Sequence, residues 1–296
     1  MHYYLVVMKI EKGLGVSLAK EISTCRLVFY WILLKKAGQN DGKNMANENS
    51  ALRWGCDTQM SQAMNKKALL RGNLMRYPFE IREDIMIGIF NEKAFLIDTG
   101  APMSFGRCDV EVEGESFEVA SDYMGVGIEA ISEKVNFDLD GLMGADILNE
   151  FTFTIHWHEQ TIEFAESPIM GEGIELEEVM GLPYIADVTC GDQTFTCYVD
   201  TGASITHINA IGAEHGEFVG THDDFHPSFG DFTTSIHECS LAVGDSTFKA
   251  RVGQLPEGAD MLLGMLGVDG VLGSDLWKAY KTTFIPSEAK LILESY

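Results

Sequence analysis

The feature that most constrains this 296-residue chain is an internal duplication. Tyr77–Gly100 reads YPFEIREDIMIGIFNEKAFLIDTG, and Leu182–Gly202 reads LPYIADVTCGDQTFTCYVDTG. Each is a strand, a polar turn and a second strand ending in Asp-Thr-Gly. Asp140–Leu148 (DGLMGADIL) matches Asp269–Trp277 (DGVLGSDLW), and each is followed by an apolar strand pair, aligned without a gap at an offset of 129 residues. Between these anchors, CDVEVEGESFEV from Cys108 matches CSLAVGDSTFKA from Cys239. Four blocks in the same order imply two copies of one supersecondary unit.

The first repeat spans 76–168 and the second 180–296, with a linker over 169–179 that contains the acidic GEGIELEE. Short strands divided by turn residues, with little sustained helical period, predict a mainly β, bilobal fold. Short helices are expected after each Gly-x-Asp, beginning at Asp146 and Asp275. Met261–Gly267 reads as a core segment.

Residues 1–75 match neither repeat and differ in charge. They carry 11 Lys/Arg against 5 Asp/Glu, a net of +6; the remaining 10 against 40 give residues 76–296 a net of −30. The extension is expected to be poorly ordered or loosely attached. So acidic a body repels nucleic acid and anionic membrane and attracts basic segments over long range. The apolar run Leu27–Leu34 is too short to span a bilayer, where about 20 residues are needed. A cytoplasmic address is expected, and so are free buried thiols at Cys25, Cys56, Cys108, Cys190, Cys197 and Cys239, none of which forms a C-x-x-C pair.

Asp98 and Asp200 are the candidate chemical residues. Each ends an apolar strand, where a carboxylate is costly unless it is paired or hydrogen-bonded. Either could cap its own turn; duplicated at matching positions, the two can meet. The phrases IDTGA and VDTGA, with the apolar-apolar-Gly blocks Leu142–Gly144 and Val271–Gly273, resemble the pepsin and retropepsin clan of aspartic proteases, and DGLMGADIL is especially similar to the retropepsin-like branch.

The resemblance implies a bilobal acid-protease fold and an aspartic endopeptidase with Asp98 and Asp200 as catalytic dyad. It needs no cofactor and no metal, acts on a peptide or protein substrate, and is complete in one chain. It also implies that Thr99 and Thr201 reach across to the opposite loop, and that the apolar-Gly blocks pack through the Asp loops. Gly100 and Gly202 permit the tight approach of the two backbones. Ala101 and Ala203 stand where pepsin-like members carry Ser or Thr. Lacking that donor, the dyad keeps its shared proton to higher pH, which predicts an optimum nearer neutral.

The repeats differ in length between the Asp loop and the cysteine-led strand. The excess in the second copy, GEFVGTHDDFHPSFGDFTT, is the candidate flap, with Phe225, Phe229, Gly230 and Phe232 as substrate wall. Pro102, opposite Ser204, removes an N–H beside the first loop and could distort it. With the trimmed first repeat, it motivates the alternative of a protease-like peptide-binding module that has lost turnover. His222 and His226 lie four apart between Gly220 and Pro227, which disfavours a helical metal site.

Overall fold

The structure is a computed structural model that describes residues 75–165, 172–226 and 228–296. The expectation for residues 1–70 lies outside the described residues. Those described belong to one compact unit, Asn73–Tyr296. The protein is mainly β.

The first repeat contributes β1 (Met75–Arg82), β2 (Ile85–Phe90), β3 (Lys93–Ile97), β4 (Phe105–Gly106), β5 (Val110–Val112), β6 (Glu115–Phe117), β7 (Asp122–Tyr123), β8 (Val126–Gly127), α1 (Ile128–Val135), β9 (Gly141–Met143), α2 (Ala145–Leu148), β10 (Thr152–His156) and β11 (Thr161–Ala165). The second contributes β14 (Leu182–Cys190), β15 (Gln193–Val199), β16 (Thr206–Ile208), β17 (Glu217–His226), β18 (Gly230–Val243), β19 (Ser246–Gly253), α3 (Glu257–Leu266), β20 (Gly270–Leu272), α4 (Asp275–Ala279), β21 (Tyr280–Ile285) and β22 (Lys290–Ser295). Between them, β12 (Ile174–Glu175) pairs with β22 and β13 (Glu177–Val179) pairs with β14, so this part of the expected linker is held in the sheets.

Local chemistry explains the hairpins. β2 and β3 alternate apolar residues around Asn91 and Glu92, both left-handed, which is the two-residue turn that matches strand twist. The ends of β3 (Ala94–Ile97) and β15 (Cys197–Val199) are continuous apolar runs buried on both faces, and each strand pairs in parallel with its apolar-Gly strand.

The repeats share their registers. Phe95, Leu96 and Ile97 lie opposite Gly141, Leu142 and Met143; Cys197, Tyr198 and Val199 lie opposite Gly270, Val271 and Leu272. Val110 faces Phe117 as Leu241 faces Phe248. The two tail hairpins then join one ten-stranded sheet through β10 and β21, where Thr154 pairs with its own counterpart Thr283, their hydroxyls 2.9 Å apart. Phe153 stacks on Phe284 beside them, with ring centroids 4.6 Å apart, so one apolar core runs through both repeats.

A charged tie adds to this seam. Asp84, in the β1–β2 turn, bonds Arg251 of β19 at 2.8 Å and Lys278 of α4 at 2.9 Å. Helices begin after both Gly-x-Asp blocks as expected, but α1 and α3 were not foreseen. Met261–Gly267 is not core: it lies largely in the surface helix α3, where Met261 and Met265 are both 53% exposed and only Ala259 is buried. The four described cysteines are free thiols, and the β14–β15 register sets Cys190 against Gln193 and Cys197 against Ile185. Among the described residues no helix is long and apolar enough to cross a membrane.

Candidate active site

Each Asp-Thr-Gly loop leaves the end of an apolar strand and turns beside the block that follows β9 or β20. The Asp98 amide donates to the Met143 carbonyl and the Asp200 amide to that of Leu272, both at 3.0 Å. The Ala145 amide donates to the Ala101 carbonyl, and the Ser274 amide to that of Ala203. Gly144 N–H donates to Ser104 Oγ and Gly273 N–H to Thr206 Oγ1. The two apolar-Gly segments therefore anchor their Asp loops in the same way.

The loops also bond one another. Thr99, 2% exposed, donates its hydroxyl to the Val199 carbonyl (2.6 Å), and Thr201, fully buried, donates to the Ile97 carbonyl (2.8 Å). Each threonine hydroxyl also accepts the other's amide N–H. All four groups are removed from water and all four are satisfied.

This exchange sets Asp98 beside Asp200. Gly100 and Ala101 donate their amides to Asp98 Oδ1, each at 2.9 Å, and Gly202 donates to Asp200 Oδ1 at 2.8 Å. The two carboxyls come close enough to act on one another's charge, an approach that is favourable only with a proton shared between them. Gly100 rests against the opposite carboxyl: a Cβ there would fall 2.3 Å from Asp200 Cγ, and one on Gly202 would fall 2.6 Å from Asp98 Cγ. Asp98 and Asp200 are both partly exposed as residues.

Burial, reinforced by the charge of Asp200 and the bond to it, pushes Asp98 well above the usual carboxylate range. Burial also raises Asp200, against the opposing pull of the Gly202 amide and the bond to Asp98. Such a pair holds one proton and titrates as a unit. Pro102 leaves the first loop undistorted: the amide bonds to Asp98 are intact, and Ala101 closes its turn on the Asp98 carbonyl as Ala203 does on that of Asp200.

The expected flap is the β17–β18 hairpin. Phe225 packs against the first-repeat cluster of Ile87, Leu96, Phe105 and Ile128. Lys134 of α1 sits over the Phe225 ring at 5.0 Å and bonds Asp231. Phe229 rests on α3, where a Cβ at Gly258 would meet its ring at 2.5 Å. Gly230 begins β18 with a left-handed φ of 77°, and the Phe232 ring lies 5.9 Å from that of His207. Helix α1 precedes β9 and α3 precedes β20 along the chain, and the hairpin touches both helices.

Sequence reasoning missed the polar face of this hairpin. Ser204 Oγ lies 2.9 Å from His222 Nε2, and Asp224 Oδ2 lies 3.4 Å from His207 Nε2. The alternation His222-x-Asp224-x-His226 is a period-two signal that sets these three on one strand face. Among the described residues no group of three or more His, Cys, Asp or Glu could hold a metal ion. No protein-family model matches the chain, and no curated protein does.

Proposed function

We propose that this chain is an aspartic endopeptidase of the pepsin and retropepsin type, bilobal and pseudo-two-fold symmetric, with Asp98 and Asp200 as its catalytic pair. The observation that carries the reading is the reciprocal bonding of the two Asp-Thr-Gly loops, which brings each loop's glycine against the carboxyl of the other and the two carboxyls side by side.

The chemistry follows from one shared proton. The ionised carboxyl takes a proton from a water as that water attacks the peptide carbonyl. The protonated carboxyl hydrogen-bonds the developing oxyanion and then protonates the leaving amine. Neither a metal nor a covalent intermediate enters the cycle. Thr99 and Thr201 hold the loops and Gly100 and Gly202 leave room for the carboxyls, while Ala101 and Ala203 offer no side-chain hydroxyl that would favour ionisation. An optimum nearer neutral pH follows, in keeping with a cytoplasmic address.

An extended peptide would lie between the lobes, beneath the β17–β18 hairpin, with Phe225, Phe229, Gly230 and Phe232 near it. One chain supplies both aspartates. The test is incubation of the full chain and its Asp200→Asn variant with a mixed peptide library, followed by mass spectrometry. Cleavage by the parent alone supports the enzyme. Silence from both, with peptides still retained, supports a binding module in its place.

A further inference from the structure

The two repeats carry different chemistry on the sheet face that adjoins the β17–β18 hairpin. Phe95, Ile97, Cys197 and Val199 belong to the common core, so Leu96 and Tyr198, which lie between them, point to the opposite face. Each is one end of a row across three strands. Leu96 lies opposite Leu142, and Leu142 opposite Phe105; Tyr198 lies opposite Val271, and Val271 opposite His207. Leu96 and Tyr198 stand two positions before their aspartates, and Phe105 and His207 seven after.

The first row is apolar throughout and packs with Ile128, Ile131 and Val135 of α1. In the second row both ends are polar, and both are buried: Tyr198 is 5% exposed and His207 3%. Among the described residues, neither Tyr198 Oη nor His207 Nε2 has a hydrogen-bond partner. Asp224 Oδ2 lies 3.4 Å from that nitrogen without bonding it. Polar atoms buried without partners are destabilising, and the first row shows that packing alone is met by Leu, Leu and Phe.

We infer that Tyr198 and His207 form a substrate subsite for an uncharged hydrogen-bonding side chain, an amide or a hydroxyl, while the first-repeat row takes an apolar one. This rests on the reading of the chain as an endopeptidase whose repeats flank the scissile bond. Both rows adjoin the hairpin beneath which the peptide would lie: the first-repeat cluster meets Phe225, and the His207 ring lies 5.9 Å from that of Phe232. The polar row is poor in charge. Burial lowers His207, to about 3, and raises Asp224, so both groups are held toward their neutral forms. Amides and hydroxyls both donate and accept, so they can satisfy a phenol and either tautomer of an imidazole. An apolar side chain of the same size would leave both atoms unpaired.

The experiment measures kcat/KM of the full chain on peptide pairs that differ only by Asn against its isostere Leu, placed in turn on each side of the cleaved bond. The parent should prefer Asn by about tenfold or more on one side and Leu on the other. His207→Phe combined with Tyr198→Leu, which copies the first row, should abolish the Asn preference and leave the other side unmoved. If that variant does not fold, Tyr198→Phe carries the test. It removes only a hydroxyl that bonds nothing in the chain, so it should keep the parental melting temperature and still weaken the Asn preference. No Asn preference on either side in the parent, or one that survives in a natively melting variant, overturns the inference and leaves the endopeptidase standing. If the parent retains peptides without cleaving them, the same pairs read as Kd decide the subsite, and the protease reading alone falls. A parent that neither cleaves nor retains any peptide overturns both.

Discussion

The Thr99 amide donates to Thr201 Oγ1 and the Thr201 amide donates to Thr99 Oγ1, both at 3.0 Å. Two residues 102 positions apart thus hold each other by the same bond taken in both directions. Neither loop can shift without breaking bonds in the other, so the separation of the carboxyls is fixed by buried hydrogen bonds, away from the solvent-facing side.

Replacing Thr201 with Val removes one hydroxyl and orphans two buried groups, the Thr99 amide and the Ile97 carbonyl. Each orphaned group costs about 1–3 kcal/mol. Urea unfolding of Thr201→Val should register that loss, and activity should fall with it. Thr201→Ser keeps both bonds and should stay within about 1 kcal/mol of the parent, the scale of a removed methyl.

Gly100→Ala sets a methyl 2.3 Å from Asp200 Cγ, closer than any tolerated contact. The variant must push the carboxyls apart or open the loops. Peptide cleavage should be lost, and the titration of the pair should relax toward that of separate carboxylates. Retention of parental kcat/KM would show that the two groups are not held as described.

The raised Asp98 carboxyl has a definite consequence for stability. Its folded value lies above its unfolded one, so between those two pH values the native state binds more protons than the unfolded chain. Stability contributed by the neutral form is complete below the unfolded value and is lost as pH rises through the folded one. Asp98→Asn removes this dependence. The variant should melt at a higher temperature than the parent near pH 7, and the gap should close near pH 3. A carboxyl pair that is held against its own repulsion behaves this way.

Much of the fold was legible because each motif occurs twice. A single Asp-Thr-Gly carries little information, but IDTGA and VDTGA at matching distances from DGLMG and DGVLG require equivalent strands, and the observed registers at Phe95–Gly141 and Cys197–Gly270 follow that alignment. Helices α1 and α3 were not legible: IEAISEKV and EGADMLLGML have little composition in common, and the apolar run around Met261 looks like core although half of each methionine meets solvent. The Ser204–His222–Asp224 contacts were hidden for another reason. They depend on where a fourteen-residue strand folds back on its partner, with an irregularity in register between Phe218 and Gly220. Local spacing does not encode that register.

If Asp98 and Asp200 act as one chemical unit, steady-state kinetics of single and double variants will show it. Measure kcat/KM on one cleaved peptide for Asp98→Asn, Asp200→Asn and the double variant, each checked for a native melting profile. Each single substitution should cost about a thousandfold or more, and the double should cost no more than the worse single, as for residues that work only together. A single variant that keeps activity within about tenfold of the parent, or losses that multiply in the double, would contradict it.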